Sequence, residues 1–249
     1  MKKIFILSLI LFSVTVNAQK FITSGTIEYE TRTNVPKTVE WGEGAMADEI
    51  KSKLPTFSTN YYTYSFSNNK SVYKFARNAD TQKIPEWFSV SQEENISYND
   101  YTAKTFVNRR ELDGDDIYLI SGNIKPMKWK IYPNDNTIIA GFNCRRASTV
   151  LFDSVYVFAY YTDEITVSGG PMSLNGLPGM ILGVTIPRMH TSWIAKSVQL
   201  NTDVNSITPP TKGKKTNEAD IQVSLAEMGK RWGKEYVKYL HPRIWKTLL

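Results

Sequence analysis

Residues 168–182 constrain the fold more than any other part of the chain. They read Ser168-Gly169-Gly170-Pro171, then Met172 to Asn175, then Gly176-Leu177-Pro178-Gly179, and they release the chain into the apolar run that begins at Met180. Gly176 and Gly179 can take positive φ, and Pro178 fixes φ between them. Pro171 stiffens the turn before them. Two rigid turns in succession reverse the chain and launch a buried strand, with Leu177 placed to enter the core. No side chain here can transfer a proton or bind a phosphate. Gly170, Pro171, Gly176, Leu177, Pro178 and Gly179 therefore form either a structural device or a rigid docking loop for a ligand or partner.

Alternation with a period of two surrounds this loop. Ile27 and Tyr29 share one face of a strand over residues 26–31, which Asn34-Val35-Pro36 ends. Residues 44–53 read as a short helix or lid-like insertion stopped by Pro55. Tyr62, Tyr64 and Phe66 alternate, Asn68-Asn69 makes a turn, and residues 72–75 return. Met127, Trp129 and Ile131 share a face of a strand that Pro133-Asn134-Asp135-Asn136 turns back into residues 137–147. Residues 149–152 and 155–161 form another hairpin around Asp153-Ser154, and residues 180–186 and 192–200 are further strands.

Residues 201–216, with Pro209-Pro210, Lys212, Lys214 and Lys215, read as a polar linker. Asn217 then caps a helix in which Ile221, Leu225, Met228, Trp232 and Tyr236 recur at helical spacing, until Pro242 ends it. The expected fold is mainly β within the α+β class: a strongly curved antiparallel sheet or half-open barrel with a C-terminal helix. Its aromatic inner face is either a pocket for an apolar ligand or peptide, or a core filled by that helix.

Residues 1–18 have the pattern of a secretory signal peptide. Lys2 and Lys3 precede an apolar stretch over residues 4–16, and Val16-Asn17-Ala18 supplies the cleavage positions. The apolar stretch is shorter than the ~20 residues of a membrane span. These features predict cleavage after Ala18 and a periplasmic or secreted protein that is not integral to a membrane. The expected division is a signal peptide at 1–18, a curved sheet domain at 19–200, a linker at 201–216 and a helix at 217–249. The net charge of +6 is small and scattered, and two of its lysines lie in the leader, so nucleic acid is not an expected partner.

Catalytic signals are sparse. No nucleophile elbow, phosphate loop, dinucleotide fingerprint or zinc-protease motif is present. The single cysteine, Cys144, excludes an internal disulfide, and its neighbours Ile138, Ile139 and Phe142 favour burial. An alternative reading is a hydrolase in which Cys144 and His190 pair with Asp153 or Asp163. Another is copper binding by Met189 and His190, with Met172, Met180 and Cys144 as further soft ligands. Asp113-Gly114-Asp115-Asp116 has the composition of a calcium loop but lacks its later ligands, and reads as a solvated turn. No catalytic residue and no cofactor is assigned.

Gly176-Leu177-Pro178-Gly179-Met180-Ile181 resembles the signature of the GLPGLI family, with Met180 where Leu is usual. Residues 139–147, Ile-Ala-Gly-Phe-Asn-Cys-Arg-Arg-Ala, are similar to that family's upstream strand. Residues 159–165 are similar to its aromatic-Tyr-Thr segment, with Tyr160 in place of Trp, and Gly170-Pro171 fits its Gly-Pro. The resemblance covers roughly residues 125–200. It implies an exported protein with no established activity and an envelope partner such as a TonB-dependent outer-membrane receptor. It also implies a sheet similar to the half-barrel of periplasmic lipoprotein carriers. It supplies no catalytic residues.

Overall fold

A computed structural model describes residues 22–38, 45–79, 95–112, 116–152, 154–200, 204, 207–231, 244–245 and 247–249. The expected signal peptide at 1–18, the Asp113–Asp115 part of the acidic turn, Asp153, and Trp232, Tyr236 and Pro242 of the expected helix lie outside these residues.

Twelve strands form one open sheet. In chain order they are β1 (Ser24–Asn34), β2 (Phe57–Ser67), β3 (Lys70–Asn78), β4 (Ile96–Asp100), β5 (Thr105–Leu112), β6 (Asp116–Asn123), β7 (Lys130–Ile139), β8 (Phe142–Leu151), β9 (Val155–Thr162), β10 (Met180–Ile186), β11 (Thr191–Leu200) and β12 (Lys214–Thr216). Across the sheet the order is β12-β6-β5-β4-β3-β2-β1-β11-β10-β9-β8-β7. Among the described residues, helices α1 (Val35–Thr38), α2 (Ala45–Lys53) and α3 (Glu218–Arg231) accompany it, and residues 244–245 and 247–248 are also helical. The expected mainly β architecture with a C-terminal helix is present. One detail is corrected: β12 lies parallel to β6, Lys214 opposite Tyr118, so the sheet is mixed and the supposed linker ends in a strand.

Turn chemistry explains most reversals. Asn68 and Asn69 both take positive φ and join β2 to β3 in the tight form that Asn tolerates. The reversal after β7 is not at Pro133–Asn136. It occurs at Ala140 and Gly141, both at positive φ. The β7–β8 register jumps between Tyr132 and Asn136, so Pro133, Asn134 and Asp135 bulge from an unbroken strand. A proline without an N–H is tolerated there because β7 is a sheet edge. Residues 124–129 are likewise irregular rather than strand, and Trp129 turns inward.

The C-terminal segment fills the inner face of the sheet only in part. α3 is capped by Asn217, whose side-chain oxygen accepts the Asp220 N–H at 2.9 Å. It packs Ile221 and Leu225 against Phe106, Leu112 and Ile120, in a small separate cluster on β5 and β6. The inside of the curved sheet is instead crossed by residues 163–179, between β9 and β10. Ile165, Leu174 and Leu177 are fully buried there against Tyr29, Tyr64, Val157, Ala159 and Trp193, together with Trp245 and Leu249. A helix has one apolar stripe and needs one partner. The loop exposes apolar groups on several sides, and only an enclosed position satisfies them.

Candidate functional site

The loop at 163–179 can be traced by its contacts from one wing of the sheet to the other. At its start, the Met180 N–H donates to the Ile165 carbonyl at 3.0 Å and the Ile181 N–H to the Gly169 carbonyl at 2.8 Å. The β10–β11 ladder begins only at Gly183, so the loop takes over the pairing ahead of it. Gly169 lies against the hydroxyls of Tyr64 on β2 and Tyr101 after β4, where a Cβ would collide. At the far side Ser173 Oγ accepts from Asn108 Nδ2 on β5 at 3.1 Å, and the Ser173 N–H donates to the Leu249 carbonyl at 2.9 Å.

The two turns hold this crossing rigid. Gly179 has φ +150°, and a Cβ there would stand 2.0 Å from the Thr162 carbonyl oxygen. Gly176 has φ +91° but no neighbour closer than 3.6 Å, so it needs the glycine backbone and not the space. Gly170, Pro171, Leu177 and Gly179 are buried, while Gly176 and Pro178 are exposed. Trp129 Nε1 donates to the Asn175 carbonyl at 2.8 Å, and Gly176 N donates to Ser168 Oγ at 3.0 Å. These bonds fix the segment between the turns.

That segment is the floor of a cleft of about 850 Å³. Ser173 and Asn175 form the floor, with Leu248 and Leu249 beside them. One wall is Asn99 on β4 with Phe106 and Asn108 on β5. The other is Tyr132 on β7 with Ser148, Thr149, Val150 and Leu151 on β8. Residues 124–128 close one side, with Lys128 and Lys130 at the rim. The β4–β6 and β7–β8 strands stand near opposite ends of the sheet order. They share a cleft because the sheet curls until its two ends face one another.

The two walls differ chemically. On β5 the inward positions are Phe106, Asn108, Arg110 and Leu112, so an amide and a guanidinium alternate with apolar groups. Arg110 is buried and has no carboxylate among its hydrogen-bond partners. Its Nη2 donates to Ser97 Oγ at 2.9 Å, Nε to the Thr247 carbonyl and Nη1 to the Ile96 carbonyl. Burial pulls its pKa down to about 10, so it remains a cation at neutral pH. Asn99 and Asn108 are each 2 % exposed, and the side-chain oxygen of each has no hydrogen-bond partner among the described residues. Buried amide oxygens are rarely left so; Asn34 on β1 carries another, and the two of Asn99 and Asn108 lie together on one cleft wall.

The other sequence-derived candidates do not converge. Cys144 is fully buried, and burial pushes its thiol up to about 11. Its neighbour Arg145 pairs with Tyr161, and Tyr161 pairs with Ile181, at the start of β10. His190 follows the far end of that strand, roughly 17 Å or more away at the ~3.3 Å rise of a strand residue. The Cys144–His190 hydrolase pair is therefore not assembled. The same separation parts the exposed His190 and the buried Met189 from Met180 and Cys144, so these soft ligands do not meet. Among the described residues no cluster of three His, Cys, Asp or Glu is placed to hold a metal.

Sequence reasoning missed Asn99, Asn108, Ser173 and Asn175. The signal available was Asn108 and Arg110 on the same alternating face as Phe106 and Leu112, polar residues at core positions. Among the described residues no helix is long and apolar enough to cross a membrane.

The fold has a solved counterpart. PNGF-II, determined in the P21 and C2 space groups, matches with a TM-score of 0.52 and 14 % identity in each. The match covers 81 % and 80 % of this chain and 32 % of PNGF-II, so the chain spans about a third of that protein's length. At that identity the likeness shows the fold alone. No curated protein matches the chain. Residues 67–183, which run from the end of β2 to the middle of β10 and include both turns, match the model of a family described as protein of unknown function (Porph_ging).

Proposed function

We propose that this is an exported, noncatalytic binding protein whose ligand sits in the cleft above the crossing loop. The observation that carries this reading is the pair of buried, unpartnered amide oxygens of Asn99 and Asn108 on the cleft wall. An unpaired buried acceptor costs roughly 1–3 kcal/mol, a cost that a ligand donor would remove. The cleft's volume lies in the range of about 300–1,000 Å³ found for ligand sites. A carrier that stores an apolar ligand beneath the sheet is disfavoured, because the protein's own loop occupies that space.

Export rests on the leader pattern of residues 1–18, and the resemblance to the GLPGLI family supports a cell-envelope setting. In a second reading, Gly176 and Pro178, the exposed parts of the otherwise buried turns, dock on an outer-membrane receptor. The test of the main reading is native copurification from the envelope, with mass spectrometry of bound small molecules and peptides. Wild type should carry a ligand that is lost when Asn99→Trp fills the cleft. A ligand retained by a folded N99W protein would refute the cleft as the site. The mass of the exported chain checks cleavage after Ala18.

A further inference from the structure

The cleft also constrains what kind of molecule it holds. We propose that it binds an extended acidic peptide segment. This deepens the reading of the cleft as a binding site and depends on it. Three features of different origin point to one ligand chemistry.

The first is the amides. A primary amide both donates and accepts, and the group that complements it in both roles is another amide. Asn99 and Asn108 are held on adjacent antiparallel strands, where Asn99 pairs with Phe106 and Ser97 with Asn108. Two fixed amides on neighbouring strands suit the repeated N–H and C=O groups of a peptide main chain better than a single small polar head. Asn108 already spends its Nδ2 on Ser173, which fixes the direction of its free oxygen.

The second is a strand edge on the opposite wall. β7 pairs with β8 only from Lys130 opposite Ser148 onward. Residues 149–151 of β8 continue to pair with β9 but have no strand among the described residues on the β7 side. The chain ahead of β7 leaves the edge, since Trp129 turns inward to the Asn175 carbonyl. The cleft runs past this open edge, with Thr149, Val150 and Leu151 in its lining. An unpaired strand edge beside a cleft is the geometry of peptide recognition by strand addition.

The third is charge. Lys125 is paired with Glu218. No carboxylate among the described residues pairs with Lys128 or Lys130, and Lys130 instead lies over the Tyr132 ring. Two uncompensated cations at the rim beside an open strand edge favour a segment carrying Asp or Glu, and disfavour a basic one. The outer parts of such a peptide would meet the lysines while its main chain lies between the amides and β8.

The test is selection of a random dodecapeptide library, displayed on phage, against the full chain, followed by binding measurements on the enriched peptides. The proposal expects peptides rich in Asp and Glu. Their affinity should fall about tenfold or more with Asn108→Ala, as removal of a buried hydrogen-bonding partner requires. Asn108→Asp keeps the acceptor but adds a charge, and should reject acidic peptides more strongly than Asn108→Ala does. The double variant Lys128→Glu, Lys130→Glu should turn the selected composition from acidic to basic. Peptides that depend on Asn108 but show no acidic bias would overturn the acidic assignment and leave the cleft as a peptide site. Enrichment that ignores both Asn108→Ala and the cleft-filling Asn99→Trp, with both variants folded by circular dichroism, would overturn the cleft reading itself.

Discussion

The two wings of the sheet differ in how many polar groups they bury on the inner face. In β8–β10 the inward residues are mostly apolar: Ala147, Val157, Ala159, Ile181 and Val184 are fully buried with Tyr161, Thr149 is the polar member, and the crossing loop packs on them. In β3–β5 the inward face is mixed: Ser71, Ser97, Asn99, Asn108 and Arg110 are buried among Tyr73, Phe106 and Leu112. The first wing maximises burial and leaves little for a ligand to do. The second holds a cation among neutral acceptors and leaves two amide oxygens unpaired. A protein tolerates such local cost where function needs it, and the contrast is what the proposed cleft site rests on.

The sealed wing should be the more fragile under substitution. Gly179→Ala would force a Cβ against the Thr162 carbonyl at a φ that side chains avoid, and should cost ~3 kcal/mol or more. Gly176→Ala, with open space around it, should cost only ~1 kcal/mol, and urea unfolding of both would separate steric need from backbone need. If the two cost the same, the tight crossing is not what holds this wing. Leu177→Ala removes a side chain that is 1 % exposed and should cost about 2–5 kcal/mol by the same measurement.

Titration offers a milder probe of the same wing. The Cys144 thiol ordinarily ionises near 9.0 and is raised to about 11 in the folded chain by burial. Below 9.0 it is neutral in both states. Above that the unfolded chain ionises first, so its contribution to stability is lost as pH rises from about 9 to about 11. Burial also raises Tyr29, Tyr64 and Tyr73 well above 10.0, and they act in the same direction only at higher pH. Melting temperatures should therefore begin to fall near pH 9 in the wild type and near pH 10 in Cys144→Ala. An identical onset in the two proteins would mean that the thiol is not sequestered.

The smallest effect is expected on the polar wing. Asn99→Leu exchanges a buried amide with an unpaired oxygen for an apolar group of similar size. Stability should change by less than ~1 kcal/mol, in the stabilising direction, while ligand binding is lost. A strong destabilisation would show that Asn99 belongs to the scaffold and not to the site.

Strands and hairpins were legible because their signals are local. The Tyr62-Tyr64-Phe66 alternation and the Asn68-Asn69 turn needed only neighbouring residues, and they match β2, β3 and the positive φ of the turn. The Pro133–Asn136 cluster misled because its turn chemistry is equally compatible with a bulge on an edge strand, and edge position is a property of the whole sheet. How much of the inner face α3 covers was not legible, for a similar reason. Its apolar stripe says that it packs, but not against which surface.

The sequence alone determined a curved, mainly β chain with a rigid double turn at residues 168–179, because glycine and proline restrict the backbone wherever they stand. It also determined that no familiar catalytic motif is present. Tertiary structure alone decided that this turn crosses the inside of the sheet and floors a cleft with Ser173 and Asn175. It also brought Asn99, Asn108 and the open edge of β8 into one place, although they lie far apart along the chain. The physical reason is range. Dihedral preference and alternation act within a few residues, whereas a cleft arises where the distant ends of a curling sheet come together.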